Sequence, residues 1–258
     1  MQRRKAVSLW LFFCLTGLVS AQSQDSSGWM QDLAVKAKAG FEYFGRTISW
    51  ADADETAQLS ALLFTFRPSL IVSNRVSLGA VVGYGLSDFD TITFRELPLS
   101  IELETGKIGG WLIGGELEAA LWETGDFEIG VRGGYVFYKG KEDRYDIPGL
   151  AVTADVATVP QWQRIRAGLQ VTYIPYAYFY PFVRISYDHL WGRFEVQQTI
   201  RDLSGSQDVD ITGRGKIHVG MGLSYEPIDR FTFEGGLHVI PHSDKVDLGV
   251  SVGLSYLF

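Results

Sequence analysis

The chain has 258 residues and a formal charge of −7, with 46% hydrophobic and 21% charged residues, 29 glycines and 14% aromatics. That much evenly spread apolar surface excludes a disordered chain. An acidic balance without a basic stripe argues against nucleic acid, and the body of the chain has no run of about 18 apolar residues to cross a membrane as a helix.

Residues 1–21 read as an export signal. Arg3, Arg4 and Lys5 precede an apolar stretch over 6–19, and Val19-Ser20-Ala21 offers small residues for cleavage after Ala21. The stretch is short for a retained anchor. Cys14, the only cysteine, leaves with the signal, and the Phe12-Phe13 before it are not the small residues that precede a lipidated cysteine. The chain beyond it has no thiol for a disulfide or a nucleophile. Residues 22–32 are expected to form a short periplasmic segment ahead of one folded domain over 33–258.

From Leu33 the side chains alternate. Leu33, Val35, Ala37, Ala39, Phe41 and Tyr43 share one face, and Lys36, Lys38, Glu42 and Arg46 the other, a period of two that marks a strand. A second strand is expected over 57–66, where consecutive Leu62, Leu63 and Phe64 leave its facing open. The period returns in Val76, Leu78, Ala80, Val82 and Tyr84, then in Trp111, Ile113, Leu117, Ala119 and Leu121, then in Phe127, Ile129, Val131, Tyr135 and Phe137. Ile165 to Tyr173, Val183 to Tyr187, Ile217 to Tyr225 and Phe231 to Val239 repeat it. The last run is the cleanest: Val246, Leu248, Val250, Val252, Leu254, Tyr256 and Phe258 alternate with Asp247, Gly249, Ser251, Gly253 and Ser255.

These runs make ten strands. Short connections around Pro68, Thr124-Gly125-Asp126, Pro175-Tyr176 and 227–230 alternate with connections of about twenty residues between strands 3/4, 5/6 and 7/8, the segregation of turns and loops found in outer-membrane barrels. The expected fold is all-β, a transmembrane antiparallel up-and-down β-barrel of about ten strands, with eight or twelve as alternatives. Its apolar face meets lipid, and its glycine- and ion-rich face fills the lumen.

The aromatics at the strand ends, and the terminal Tyr256-Leu257-Phe258 after alternating Val250, Val252 and Leu254, resemble the bacterial outer-membrane β-barrel family, in the size range of OmpA-type and omptin barrels. The resemblance implies the outer membrane of a didermic, Gram-negative bacterium. It also implies that Tyr256 and Phe258 form the signal read by the barrel-assembly machinery, and that outer-membrane lipid surrounds the chain. It points to a compartment and an architecture, and to no activity.

Parity sends seven cations inward, Lys36, Lys38, Arg46, Arg132, Arg164, Arg166 and Arg184, against seven anions, Glu42, Glu116, Glu118, Glu128, Asp188, Glu234 and Asp247. A neutral interior in a narrow barrel reads as a salt-bridged plug, whereas a selective pore would show an excess of one sign. The acidity gathers in the long connections at 49–56, 88–107, 140–158 and 192–213, which suits an extracellular cationic ligand or divalent cations. In the fourth of these, 194–201 and 208–212 flank Ser204-Gly205-Ser206 as the arms of a hairpin.

Candidate chemistry is sparse. Asp88 and Asp90 atop strand 3, with Asp188 and His189 atop strand 7, loosely resemble the omptin outer-membrane proteases, which set an aspartate pair opposite an Asp/His pair. Here Asp188 and His189 are adjacent, where the family has one residue between, so they point to opposite faces. Asp88 and Asp90 fall on the lipid-side parity unless a bulge intervenes. His218 and His238 face the lumen and read as members of the ionic network, and His242-Ser243 does not match the motifs of lipid-modifying barrel enzymes. No metal or cofactor is expected. The sequence favours a non-enzymatic structural or surface-interaction barrel, with a small porin-like channel first and an omptin-like protease second among the alternatives.

Overall fold

The alternation in the sequence resolves into fourteen β-elements in a computed structural model, which describes residues 33–50, 53–72, 75–90, 92–94, 101–103, 105–146, 154–174, 178–200, 203–243 and 245–258. The expected signal over 1–21 and the segment 22–32 lie outside these residues. β1 (Leu33–Trp50) and β2 (Ala53–Val72) make the first hairpin. β3 (Val76–Asp90) continues into β4 (Ile92–Phe94), which returns through β5 (Ile101–Leu103) and β6 (Lys107–Thr124). β7 (Phe127–Gly140) and β8 (Asp143–Asp146) are two parts of one strand, both paired with β9 (Ala154–Tyr173). β10 (Phe179–Ile200) pairs with β11 (Leu203–Gly213) through its later residues and with β12 (Ile217–Ile228) through its earlier ones. β13 (Phe231–Pro241) and β14 (Val246–Leu257) follow.

Counting interrupted strands once, ten antiparallel strands close a ring. Each pairs with its neighbour in sequence, and β14 returns to β1 from Lys36↔Leu257 to Phe44↔Gly249. Closure leaves the ring no free edge, so every backbone donor and acceptor along it can be satisfied without water. One rim carries tight turns such as Gly125-Asp126, where Gly125 takes the positive φ of 54° that a two-residue turn demands. The other rim carries the long hairpins. Pro68, expected at a turn, lies inside β2 opposite Ala37. Having no N–H, it leaves the β2–β3 ladder without a pair between Phe66↔Val82 and Ser69↔Gly79.

The barrel is apolar on the outside. Phe64, Leu78, Ile113, Leu169, Ile185, Met221, Leu237 and Val252 all stand exposed on the outer wall. β2 takes the same sense, with Leu59, Leu63 and Thr65 buried inside and Phe64 and Phe66 outside, which settles its facing. Near the turn rim aromatic rings run in contact: Phe127–Tyr173 at 4.9 Å, Phe179–Tyr225 at 4.6 Å, Phe231–Tyr256 at 4.8 Å and Tyr256–Phe258 at 4.7 Å between centroids.

The ring does not keep ten strands along its whole height. The β13–β14 hairpin is short, and beyond it β1 leaves β14 and pairs directly with β11 at Ile48↔Gly213, Ser49↔Thr212 and Trp50↔Ile211. Towards the loop rim the cylinder therefore narrows to eight strands. The strand break at 214–216 sits at this fork. Thr47 O accepts from Arg214 N at 2.8 Å and Lys216 O accepts from Asp188 N at 2.8 Å, so the two flanking strands satisfy the backbone that the break exposes.

Candidate functional site

The lumen has two tiers, because the inward residues of each strand change character along its length. On β9 they run Gln170, Gly168, Arg166, Arg164 and then Trp162. On β10 they run Arg184, Ser186, Asp188 and then Leu190 and Phe194. The change falls where the barrel narrows.

The lower tier is ionic. Asp188, fully buried, receives Arg164 at 2.8 Å and Arg166 at 3.0 Å, and Glu42 receives the same two guanidinium groups at 2.9 and 3.1 Å. A second group lies nearer the turn rim: Glu234 receives Lys38 at 2.9 Å, Arg132 at 3.5 Å and Arg184 at 3.7 Å, and Arg132 also reaches Glu118 at 3.3 Å. Glu116 pairs with Arg67 at 3.3 Å. Arg67 carries no parity signal in the sequence, because consecutive Leu62, Leu63 and Phe64 leave the facing of its strand open. Two cavities of about 140 and 190 Å³, each roomy enough for several waters, lie among these groups, the second lined by Lys36, Arg75, Glu118 and Glu128. Lys36 and Glu128 thus border a cavity, and neither makes an ion pair among the described residues.

Two other expected members lie at the fork. Asp247 accepts from Thr47 N at 2.9 Å and from Thr47 Oγ1 at 2.8 Å, and His242 lies 3.5 Å away. It caps β1 just where that strand leaves β14. Arg46, 1% exposed, donates to Gly215 O at 2.5 Å and stands 3.7 Å from Asp188. Ser186 Oγ and His218 Nδ1 lie 3.0 Å apart, and His238 is 3.7 Å from Glu42, with the two imidazoles 5.0 Å apart. Among the described residues no group of three or more His, Cys, Asp or Glu is arranged to hold a metal.

The upper tier is a packed apolar core, part of which, Phe89 and Val156 among it, lies in the connections 88–107 and 140–158 expected as loops. Ile48, Leu59, Phe89, Leu112, Tyr138, Val156, Trp162, Leu190, Phe194, Val196 and Ile211 are each at most 1% exposed. Trp162 stacks on Tyr138 at 5.0 Å, meets Phe44 edge-on at 5.8 Å and donates to Ser87 Oγ at 3.0 Å. Tyr138 donates to Ile108 O at 2.7 Å, so both polar tips are satisfied inside the core. Arg164 joins the tiers, its guanidinium 4.4 Å from the Phe44 ring centroid on one side and bound to carboxylates on the other.

The residues of the protease resemblance are not brought together. Ser87 and Phe89 are the inward residues of their stretch of β3, so Asp88 and Asp90 take the outward positions. Asp188 points into the lumen, while His189 lies on the outer wall, stacked on Trp191 at 5.1 Å. The fourth loop is a hairpin, as expected, but β10 and β11 pair as far as Ile200↔Leu203, with Ser206 within the ladder opposite Gln197.

A closed ring of strands with an apolar outer wall, an aromatic girdle and a filled polar-to-apolar interior defines a transmembrane β-barrel. No protein-family model matches the sequence, and no curated protein does. Among solved structures the chain is similar to the translocator domain of the autotransporter NalP from Neisseria meningitidis, at 11% identity and a TM-score of 0.48 over 96% of this chain and 95% of that one. It is similar to the outer membrane protease OmpT from Escherichia coli at 10% identity and 0.47, over 91% and 99%. It is also similar to Ail, the attachment invasion locus protein of Yersinia pestis, at 10% identity and 0.32, over 87% and 99%. These are similarities of fold, and no residue role passes through them.

Proposed function

We propose that the protein is an outer-membrane β-barrel of a didermic bacterium, exported by a cleaved signal over 1–21, whose lumen is closed and whose role is structural or surface-interacting. The observation that carries this reading is the apolar core across the narrowed end: an ion entering from that side would have to cross Trp162, Tyr138, Leu190 and Phe194, all buried. Dehydrating an ion in such a layer costs far more than the transmembrane potential supplies. The long hairpins, including β10–β11, face the exterior by the usual asymmetry of such barrels. Their exposed carboxylates, Asp208 and Asp210 among them, are the surface offered to a cationic ligand or to divalent cations. Tyr256 and Phe258, at the end of the strand that closes the ring, serve as the signal for the assembly machinery.

Single-channel recording in planar bilayers tests the reading. The folded protein should give no steady conductance, and a steady current would replace the closed barrel with the small porin-like channel.

A further inference from the structure

We propose that the outer wall of β6 and β7 carries a binding site for the phosphate groups of the glycolipid that forms the outer leaflet. The inference rests on the membrane reading above. It starts from a departure from the charge pattern: in a chain of net charge −7, whose loop-rim connections are acidic, three lysines converge on one outward patch. Lys107 ends β6 at the loop rim, Lys139 stands opposite Trp111 in the β6–β7 ladder, and Lys141 follows it, its N–H bonded to Gly109 O at 2.8 Å. All three are exposed, and none forms an ion pair among the described residues. Asp88 stands opposite Lys107 in the β3–β6 ladder, and Glu142 is taken by Arg144 at 2.8 Å.

The floor of the patch is aromatic. Gly109 has no side chain, and the Tyr84 hydroxyl lies in the space that one would fill. Tyr84 therefore spreads across β6, meets Trp111 edge-on at 5.5 Å, and has the Lys141 ammonium 5.7 Å from its ring centroid. Trp111 is 65% exposed, and Ile113 below it 58%. An exposed Trp and Tyr above an apolar wall mark the depth of the headgroups, where amphipathic rings settle. Lys139 stands level with Trp111 while Lys141 and Lys107 stand further toward the rim, the height of lipid phosphate, and residues two apart on a strand are about 7 Å apart, so Lys139 and Lys141 can reach one phosphate together while Lys107 reaches a second. A glycolipid with two phosphates and several acyl chains fits both halves of the patch, its acyl chains lying along Ile113 and the wall beneath.

The test uses the folded full-length barrel in zwitterionic detergent and counts retained lipid by native mass spectrometry. The probes are bisphosphorylated lipid A, the same lipid with both phosphates removed, and phosphatidylglycerol. The wild type should retain bisphosphorylated lipid A at least about tenfold better than either other probe. Joint substitution K107Q, K139Q and K141Q should erase that preference, given the attraction of each basic residue near an anionic surface. Joint substitution K216Q and K245Q, which removes two exposed lysines elsewhere on the loop rim, should leave it intact. Equal retention of all three lipids, equal retention of phosphatidylglycerol, or equal losses in the two variants would each overturn the assignment. If the triple variant does not fold, the three single variants and displacement of lipid A from the wild type by inorganic pyrophosphate decide the same question. Failure of the membrane reading would look different, as a wild type that does not insert into liposomes at all.

Discussion

The two tiers of the lumen close the same barrel by opposite means. In the lower one, long Arg, Lys and Glu side chains cross between strands and leave cavities of about 140 and 190 Å³ among them. In the upper one, rings and aliphatic chains fill the section, all of them buried and most at most 1% exposed. The difference follows the fork at which ten strands become eight. A wider ring needs long reach, and charged chains that meet mid-lumen must pair to stay there. A narrower ring can be filled by Trp, Tyr, Phe and Leu alone. Stability and impermeability should therefore depend most on the upper tier, less on the carboxylates shared by several cations, and least on the surface hairpin.

The largest effect is expected from Trp162→Ala. It removes a fully buried ring that touches Tyr138 and Phe44, and it leaves Ser87 Oγ without its donor. The cavity should cost about 4 kcal/mol, read as a lower urea midpoint for loss of the compact, heat-modifiable gel form. It should also open intermittent conductance, because water would enter above Arg164. A midpoint equal to that of the wild type would show that the upper tier is not the structural seal.

Asp188→Ala comes next, at about 3–4 kcal/mol. The substitution strips a carboxylate, itself 0% exposed, from Arg164, Arg166 and Arg46. Glu42 still binds Arg164 and Arg166, so Arg46 is left with the carbonyls of Gly215 and of residue 188. Arg132→Ala should cost less, about 1–2 kcal/mol. Its partners Glu118 and Glu234 are 29% and 17% exposed, Glu234 keeps Lys38 at 2.9 Å, and the adjoining cavity admits water. If the urea midpoints rank Arg132→Ala below Asp188→Ala, hydration of the lower tier near the turn rim is the wrong account.

The contrast between tiers also explains what could be read from the sequence. The alternation of Val246 to Phe258, and of each membrane run before it, is legible as strand number and order, and as facing for every run but 57–66, because lipid outside and ions inside make the period of two unmistakable. Above the membrane that contrast weakens. Trp50, Phe89 and Val156 lie in the connections 49–56, 88–107 and 140–158 that read as loops, although they sit in paired strands around a core. Arg67 was hidden by the run Leu62-Leu63-Phe64 and by Pro68, which mimics a turn. Asp247 has the right parity for the ionic network, but only the departure of β1 from β14 gives it Thr47 as partner. That departure depends on the length of the β13–β14 hairpin relative to its neighbours, a comparison between strands far apart in sequence. The acidic character of the long connections was plain, whereas the Lys107, Lys139 and Lys141 patch joins residues that become neighbours only through the β6–β7 register.

The smallest effect belongs to the exposed hairpin. Arg193 on β10 bridges Asp208 and Asp210 on β11, each at 3.4 Å, and all three side chains are more than half exposed. Asp208→Ala leaves Arg193 its second carboxylate, and solvent screens what is lost. The cost should be about zero to 0.5 kcal/mol, an unchanged urea midpoint within error. The ladder from Trp191↔Thr212 to Ile200↔Leu203 holds the hairpin by backbone bonds that the substitution does not touch. If the hairpin presents its carboxylates to a cationic partner, the same variant should instead lose binding of a basic peptide to the cell surface while the barrel stays as stable as before. A loss of stability comparable to that of Asp188→Ala would mean that the surface pair is structural, and the distinction between a sealed barrel and an independent surface hairpin would fail at that point.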